Sequence, residues 1–147
     1  MQDAWGFVTE DGARLRDVVE QVSEDATPLP AWISEKLDLH EVAKNHAVRD
    51  SRLNQTFAYQ IISGSRHASR DKLVQLAFGM RLDVHEACEL LERGGVNPLS
   101  PTCRRDVVIA YCLHRSYDIS TCDDYLWGLR EQTVLPGGAS RHDLADG

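Results

Sequence analysis

Between Leu53 and Ser65 the chain carries Gln55, Thr56, Tyr59 and Gln60 and no charge of either sign. An exposed helix ordinarily carries Glu and Lys, so a neutral row of amide, hydroxyl and phenol groups suits a different task. Gln can bond bidentately to an adenine edge, and Thr can offer its hydroxyl or its methyl to a thymine edge. No carboxylate in the run would repel a phosphate. Lys44, Arg49, Arg52, Arg66 and Arg70 flank it, cations suited to contacting two phosphate strands and fixing register. The competing explanation is a neutral helix buried against the acidic remainder of the chain.

Other chemistries find less support. Cys88, Cys103, Cys112 and Cys122 form no C-x-x-C pair, which fits neither a zinc knuckle nor a redox motif, so they are read as reduced, packed thiols. The six histidines are scattered without ligand spacing, and no metal or other cofactor is expected. Catalysis would need a nucleophile–base or carboxylate pair. His85 beside Glu86, and Cys112 near His114, are too close in sequence to share a helix face, so the chain is not expected to be an enzyme.

Composition bounds the protein further. Its 147 residues are 42% hydrophobic and 27% charged, within the globular range. The longest uncharged apolar run, Val107 to Leu113, is far short of the roughly 20 residues that span a bilayer. No signal peptide is visible, and a cytoplasmic location is expected. Net charge is −7, yet the window from Lys44 to Lys72 holds six basic and two acidic residues, a local +4 against −11 elsewhere.

The elements that must position the neutral row read as helical throughout. Leu15, Val18, Val19 and Val22 form an apolar stripe over 11–25, and Pro28 and Pro30 mark a linker. Trp32, Ile33, Leu37 and Leu39 begin a first helix of the main domain. A second, over 44–51, buries Ala47, Val48 and Ser51. Asn54 caps a third over 54–63, stopped by Gly64. Ser69 caps a fourth through Met80, with Leu73, Leu76 and Ala77 inward, and Asp83 with Glu86 makes a capping box for a fifth, ending at Gly94-Gly95. Ser100-Pro101 is expected to start a sixth, with Val107, Val108, Tyr111 and Cys112 inward. Ser120 with Asp123 opens a seventh bearing Tyr125, Leu126 and Leu129. Residues 136–147 read as a disordered tail. A weak echo links Leu76–Met80, Asp83-Val84 and Leu90-Leu91 to Ile109–Leu113, Asp118-Ile119 and Tyr125-Leu126, with two residues inserted in the second copy.

The run from Leu53 to Leu73, with its polar helix start, Ile61-Ile62, Gly64-Ser65-Arg66 and Ser69-Arg70-Asp71-Lys72-Leu73, resembles the phage-repressor/Cro-type (XRE) helix-turn-helix family. The similarity covers about 50 residues, Val42 to Leu91, and extends to a bacterial subgroup with a C-terminal helical extension, here from Arg104-Arg105-Asp106. Arg52 stands where that family commonly has a turn glycine, and Ala68 replaces a frequent proline. The resemblance implies an all-α, lambda-repressor-like helix-turn-helix bundle of five helices, with an N-terminal helix and a C-terminal helical pair. It implies that the third helix lies in the major groove. Gln55, Thr56, Tyr59 and Gln60 would then occupy contact positions, and Lys44 a phosphate position.

Four segments are expected: 1–30 as an N-terminal extension and linker, 31–95 as the DNA-binding domain, 96–135 as a C-terminal extension, and the tail. The expected function is sequence-specific transcription regulation, with double-stranded DNA as partner and a homodimer as the usual form. The alternative is a protein-interaction module or antitoxin-like adaptor on the same fold, meeting a protein partner through its acidic surface; no membrane is involved in either.

Overall fold

The computed structural model describes residues 27–136 together with Gly12, Arg14 and Leu15. The expected stripe over 11–25 (apart from Leu15, which is exposed), the Trp5–Val8 segment and residues 137–147 of the tail lie outside the described residues. Among the described residues there are seven helices and no strand: α1 Leu29–Leu39, α2 Lys44–Ser51, α3 Gln55–Ser63, α4 Arg70–Gly79, α5 Val84–Arg93, α6 Arg104–His114 and α7 Ile119–Gly128.

Pro28 and Pro30, expected in a linker, instead open α1 as its N-cap residue and within its first turn. First-turn N–H groups have no intrahelical acceptor, so a proline there loses nothing. Trp32, Ile33 and Leu37 face the core, whereas Leu39 is exposed. In α2 the buried set is Ala47, Val48 and Ser51, as the spacing predicts. The Asn54 side chain accepts the Phe57 N–H at 3.1 Å, and Gly64 closes α3 in the left-handed region at φ 83°. Ser69 is the N-cap residue of α4 but makes no side-chain cap bond. The Asp83–Glu86 box is complete, with the Glu86 N–H donating to Asp83 at 2.8 Å and the Asp83 N–H to Glu86 at 3.1 Å.

The sharpest packing lies between α2 and α4. A Cβ on Gly79 would sit 2.2 Å from the Ala47 carbonyl oxygen and 2.9 Å from the Ser51 nitrogen, so only glycine lets these helices touch. The Gln75 amide, fully buried beside them, donates to the Ser51 carbonyl at 3.0 Å and satisfies an acceptor at the α2 C-terminus.

The C-terminal pair departs from expectation. Pro101 does not start α6; Ser100 to Cys103 form a turn closed by the Cys103 N–H on the Ser100 carbonyl at 3.2 Å, with proline at its favoured second position. Cys103 is the N-cap residue of α6. Its inward face is Asp106, Ile109, Cys112 and Leu113, while Val107 and Tyr111 are about half exposed and Val108 is half-buried. The α7 cap is Asp118, which accepts the Thr121 N–H at 2.8 Å, and not Ser120. Asp123 is instead buried and accepts the Val134 and Leu135 N–H groups at 2.6 and 3.0 Å. Leu126 is buried, but Tyr125 and Leu129 are exposed.

The internal echo is stronger than the sequence shows, and it has no insertion. Left-handed Arg81 and Ser116 end α4 and α6, and the following Leu82 and Tyr117 N–H groups return to the Ala77 and Cys112 carbonyls. Arg70 donates to the Asn97 and Pro98 carbonyls; Arg105, 35 positions on, donates to those of Gln132 and Thr133. Arg70 also pairs with Asp106, and Arg105 with Asp71. Copies stacked by translation would send Arg105 onward to a third unit. Reciprocal pairing instead requires that α4–α5 and α6–α7 be related by an approximate two-fold axis, as in an isologous contact.

Candidate nucleic-acid interface

The neutral row divides on folding. Gln55 and Thr56 are exposed on the first turn of α3. Tyr59 and Gln60 are half-buried; Tyr59 packs against the core, and the Gln60 side-chain oxygen accepts from Arg66 at 3.3 Å. Ala58, Ile61 and Ile62 hold the opposite face inward. Since α3 begins at Gln55 and follows α2 through only Arg52, Leu53 and Asn54, the orientation of its first turn is set by this corner. Arg52 adopts φ 62°, the left-handed conformation in which glycine is the default residue. The Ser51 hydroxyl takes the Leu53 N–H at 3.3 Å, satisfying the donor that follows.

The five expected phosphate cations separate in the same way. Lys44 is exposed at the start of α2. Arg49 is exposed and pairs with Asp50 at 3.0 Å, a contact screened by solvent, which leaves the guanidinium exchangeable. Arg66 is exposed beyond α3 and lies over the Phe57 ring at 5.4 Å. Arg52 turns away from α3 and donates to the Ser120 hydroxyl on α7 at 2.9 Å. Arg70 is engaged internally: besides the Asn97 and Pro98 carbonyls, it donates to both Asp106 oxygens at 3.0 and 2.8 Å. Burial pushes the Asp106 carboxyl up, but the Arg70 hydrogen bonds, the Ser100 N–H and the nearby positive charges outweigh it and hold the group below the usual carboxylate range.

Lys72 was missed as a member of this surface. Its ammonium sits 4.9 Å from the Phe57 ring centre, which Arg66 also approaches, so one aromatic ring gathers two cations beside α3. The signal was present as Phe57 within an otherwise polar helix start, but only the fold brings residues 57, 66 and 72 together.

The residues weighed for catalysis do not meet. His85 is exposed while Glu86 is buried and held by His40 at 2.8 Å and Lys36 at 3.6 Å. Burial pushes the Cys112 and Cys122 thiols up, away from the reactive thiolate form. No group of three or more metal-ligating side chains occurs among the described residues, and no described helix is long and apolar enough to cross a membrane. Comparison with family models, with curated proteins and with solved structures finds no match to the chain.

Proposed function

We propose that the protein is a sequence-specific DNA-binding regulator, with α1–α5 as a repressor-type helix-turn-helix bundle and α3 as the helix that enters the major groove. The observation that carries this reading is an uncharged α3 whose first turn exposes Gln55 and Thr56, joined through a three-residue corner to an α2 that exposes Lys44 and Arg49. Gln55 and Thr56 read base edges, with Tyr59 and Gln60 supporting them from the side of the helix. Lys44, Arg49 and Arg66, with Lys72 beside Phe57, contact phosphate.

The test is fluorescence anisotropy with duplex from the gene's own upstream region, random duplex as control, and salt varied. Specific binding should exceed the control by at least about a thousandfold. Gln55→Ala should cost about 1–3 kcal/mol on the preferred site and far less on random DNA. Equal, weak and salt-erased binding to both duplexes would refute the reading.

A second reading, a protein-interaction module, draws on α6 and α7, where Val107, Tyr111, Tyr125 and Leu129 stand exposed and Tyr111 and Tyr125 touch edge to face at 6.3 Å. It predicts no salt-dependent retention on immobilised DNA.

A further inference from the structure

Of the seven large apolar side chains that stand exposed among the described residues, five (Val107, Tyr111, Tyr125, Trp127 and Leu129) lie on α6, on α7 or at the α7 C-cap. The two-fold relation between the hairpins explains why this face is bare. Shifted back by 35 positions, Tyr111 and Tyr125 become Leu76 and Leu90, which are fully buried in a core shared with Trp32 and Ile33 of α1 and Ala47 and Val48 of α2. The first hairpin is thus covered by α1, whose Trp32 bonds to Glu89, and by α2, which touches Gly79. Among the described residues nothing covers the second hairpin in the same way, and Tyr111 is 49% and Tyr125 43% exposed. Tyrosine in place of leucine suits a face that meets water before it meets a partner, since the ring is apolar while the hydroxyl is hydrated. Tyr117 and Tyr125 stack at 5.8 Å, with Tyr111 edge-on to both at 6.3 Å. Val107, Val108 and Leu129 continue the surface into a groove of about 280 Å³.

Charge selects what seats there. On α6 the exposed side chains include Arg104 and Arg115, and the one carboxylate of the helix, Asp106, is buried on Arg70. The α7 side adds exposed Asp124 and Arg130, of opposite sign. Two such faces meeting back to back would oppose their α6 arginines. The sequence over 11–25 has the complementary makeup: Leu15, Val18, Val19 and Val22 at the spacing of one helical face, with five carboxylates against two arginines, a net −3. Leu15 is 79% exposed, so it has no seat on its own chain. We infer that residues 11–25 of a second copy dock on the α6–α7 face, their apolar stripe against Val107, Tyr111 and Leu129 and their carboxylates toward Arg104 and Arg115. As a helix, Leu15 to Val22 rises about 10 Å, the same rise as Val107 to His114 on α6. Two copies that exchange segments in this way form a closed two-fold dimer. The association does not depend on the DNA reading, and each can fail alone.

The experiment is sedimentation velocity of the full chain without DNA, beside Val18→Asp in the segment and Tyr111→Asp on the face. The full chain should be a dimer at micromolar concentration, and each variant alone should associate at least about tenfold more weakly. Tyr111→Asp changes an exposed side chain, so the fold is spared. An equal mixture of the two variants should associate more tightly than either alone, because one intact segment then meets one intact face; that recovery also shows both variants folded. A monomeric full chain, an undiminished Val18→Asp dimer (faces meeting back to back), an undiminished Tyr111→Asp dimer (stripes meeting each other) or no recovery on mixing overturns the inference. If the dimer forms as expected and the DNA assay fails, the interface stands and the regulatory reading falls.

Discussion

The two reciprocal ion pairs look equivalent by symmetry, yet they should differ strongly in energy. Asp106 is only 6% exposed at its side chain, and its partner Arg70 is 26% exposed. Asp106→Ala removes an acceptor of two Arg70 bonds and of the Ser100 N–H, and leaves a largely buried guanidinium without its counter-charge. Breaking such a pair from one side costs about 3–5 kcal/mol. Arg70 keeps the Asn97 and Pro98 carbonyls and some contact with water, which sets the loss near the lower bound, about 3 kcal/mol. In the sister pair Asp71 is 36% exposed, and Arg105 keeps the Gln132 and Thr133 carbonyls, so Asp71→Ala should cost about 1 kcal/mol or less. Urea unfolding of the two variants at equal m-value measures the difference, expected at about 2 kcal/mol. Equal losses, or a loss under about 1 kcal/mol for Asp106→Ala, would refute the reasoning.

The same pair sets a pH dependence. The Asp106 carboxyl is held below its ordinary value in the folded protein, burial raising it but Arg70 and Ser100 lowering it more. Folding therefore gains stability from this group above its unfolded pKa of about 3.9. That contribution is lost as pH falls through the depressed folded value, and Asp106→Asn should flatten the acid limb. Because Arg70 is engaged inside the fold, Arg70→Ala should destabilise without changing the salt slope of DNA binding. Lys44→Ala should reduce that slope by about 0.9 without destabilising.

Gly79→Ala forces a methyl against the Ala47 carbonyl and Ser51 backbone, and should cost about 1–3 kcal/mol or more, read as a lowered urea midpoint; a neutral effect would show that α2 and α4 are not in close contact. Arg52→Gly relieves the left-handed residue between α2 and α3, and should leave stability unchanged or raised by up to about 1 kcal/mol in thermal unfolding. A marked loss would mean that the Arg52–Ser120 bond contributes more than an exposed hydrogen bond does.

The helices α1–α5 are legible in the sequence because their signals are local. Asn54, Gly64 and the Asp83–Glu86 box each act within four residues of themselves, and each takes its expected role. The expected inward residues of α2 and α4 are buried, but α4 is covered on every side from Leu73 to Gly79, Gln75 included, which apolar spacing does not show. In α6 the same spacing misleads, since Val107 and Tyr111 are as apolar as Ile109 and Leu113. There the rotation of the helix is set by Asp106 turning inward to meet Arg70, a partner on another helix. The candidate site divides likewise: sequence picks out the uncharged α3 and the basic window around it. Arg52 and Arg70 resemble Lys44 and Arg49 in type and spacing, and only their distant partners, Ser120 and Asp106, draw them away. Local hydrogen bonds and side-chain periodicity are thus determined by neighbours along the chain. Which charge is exposed and which face is covered are decided by contacts between residues far apart in sequence, which exist only once the helices have packed.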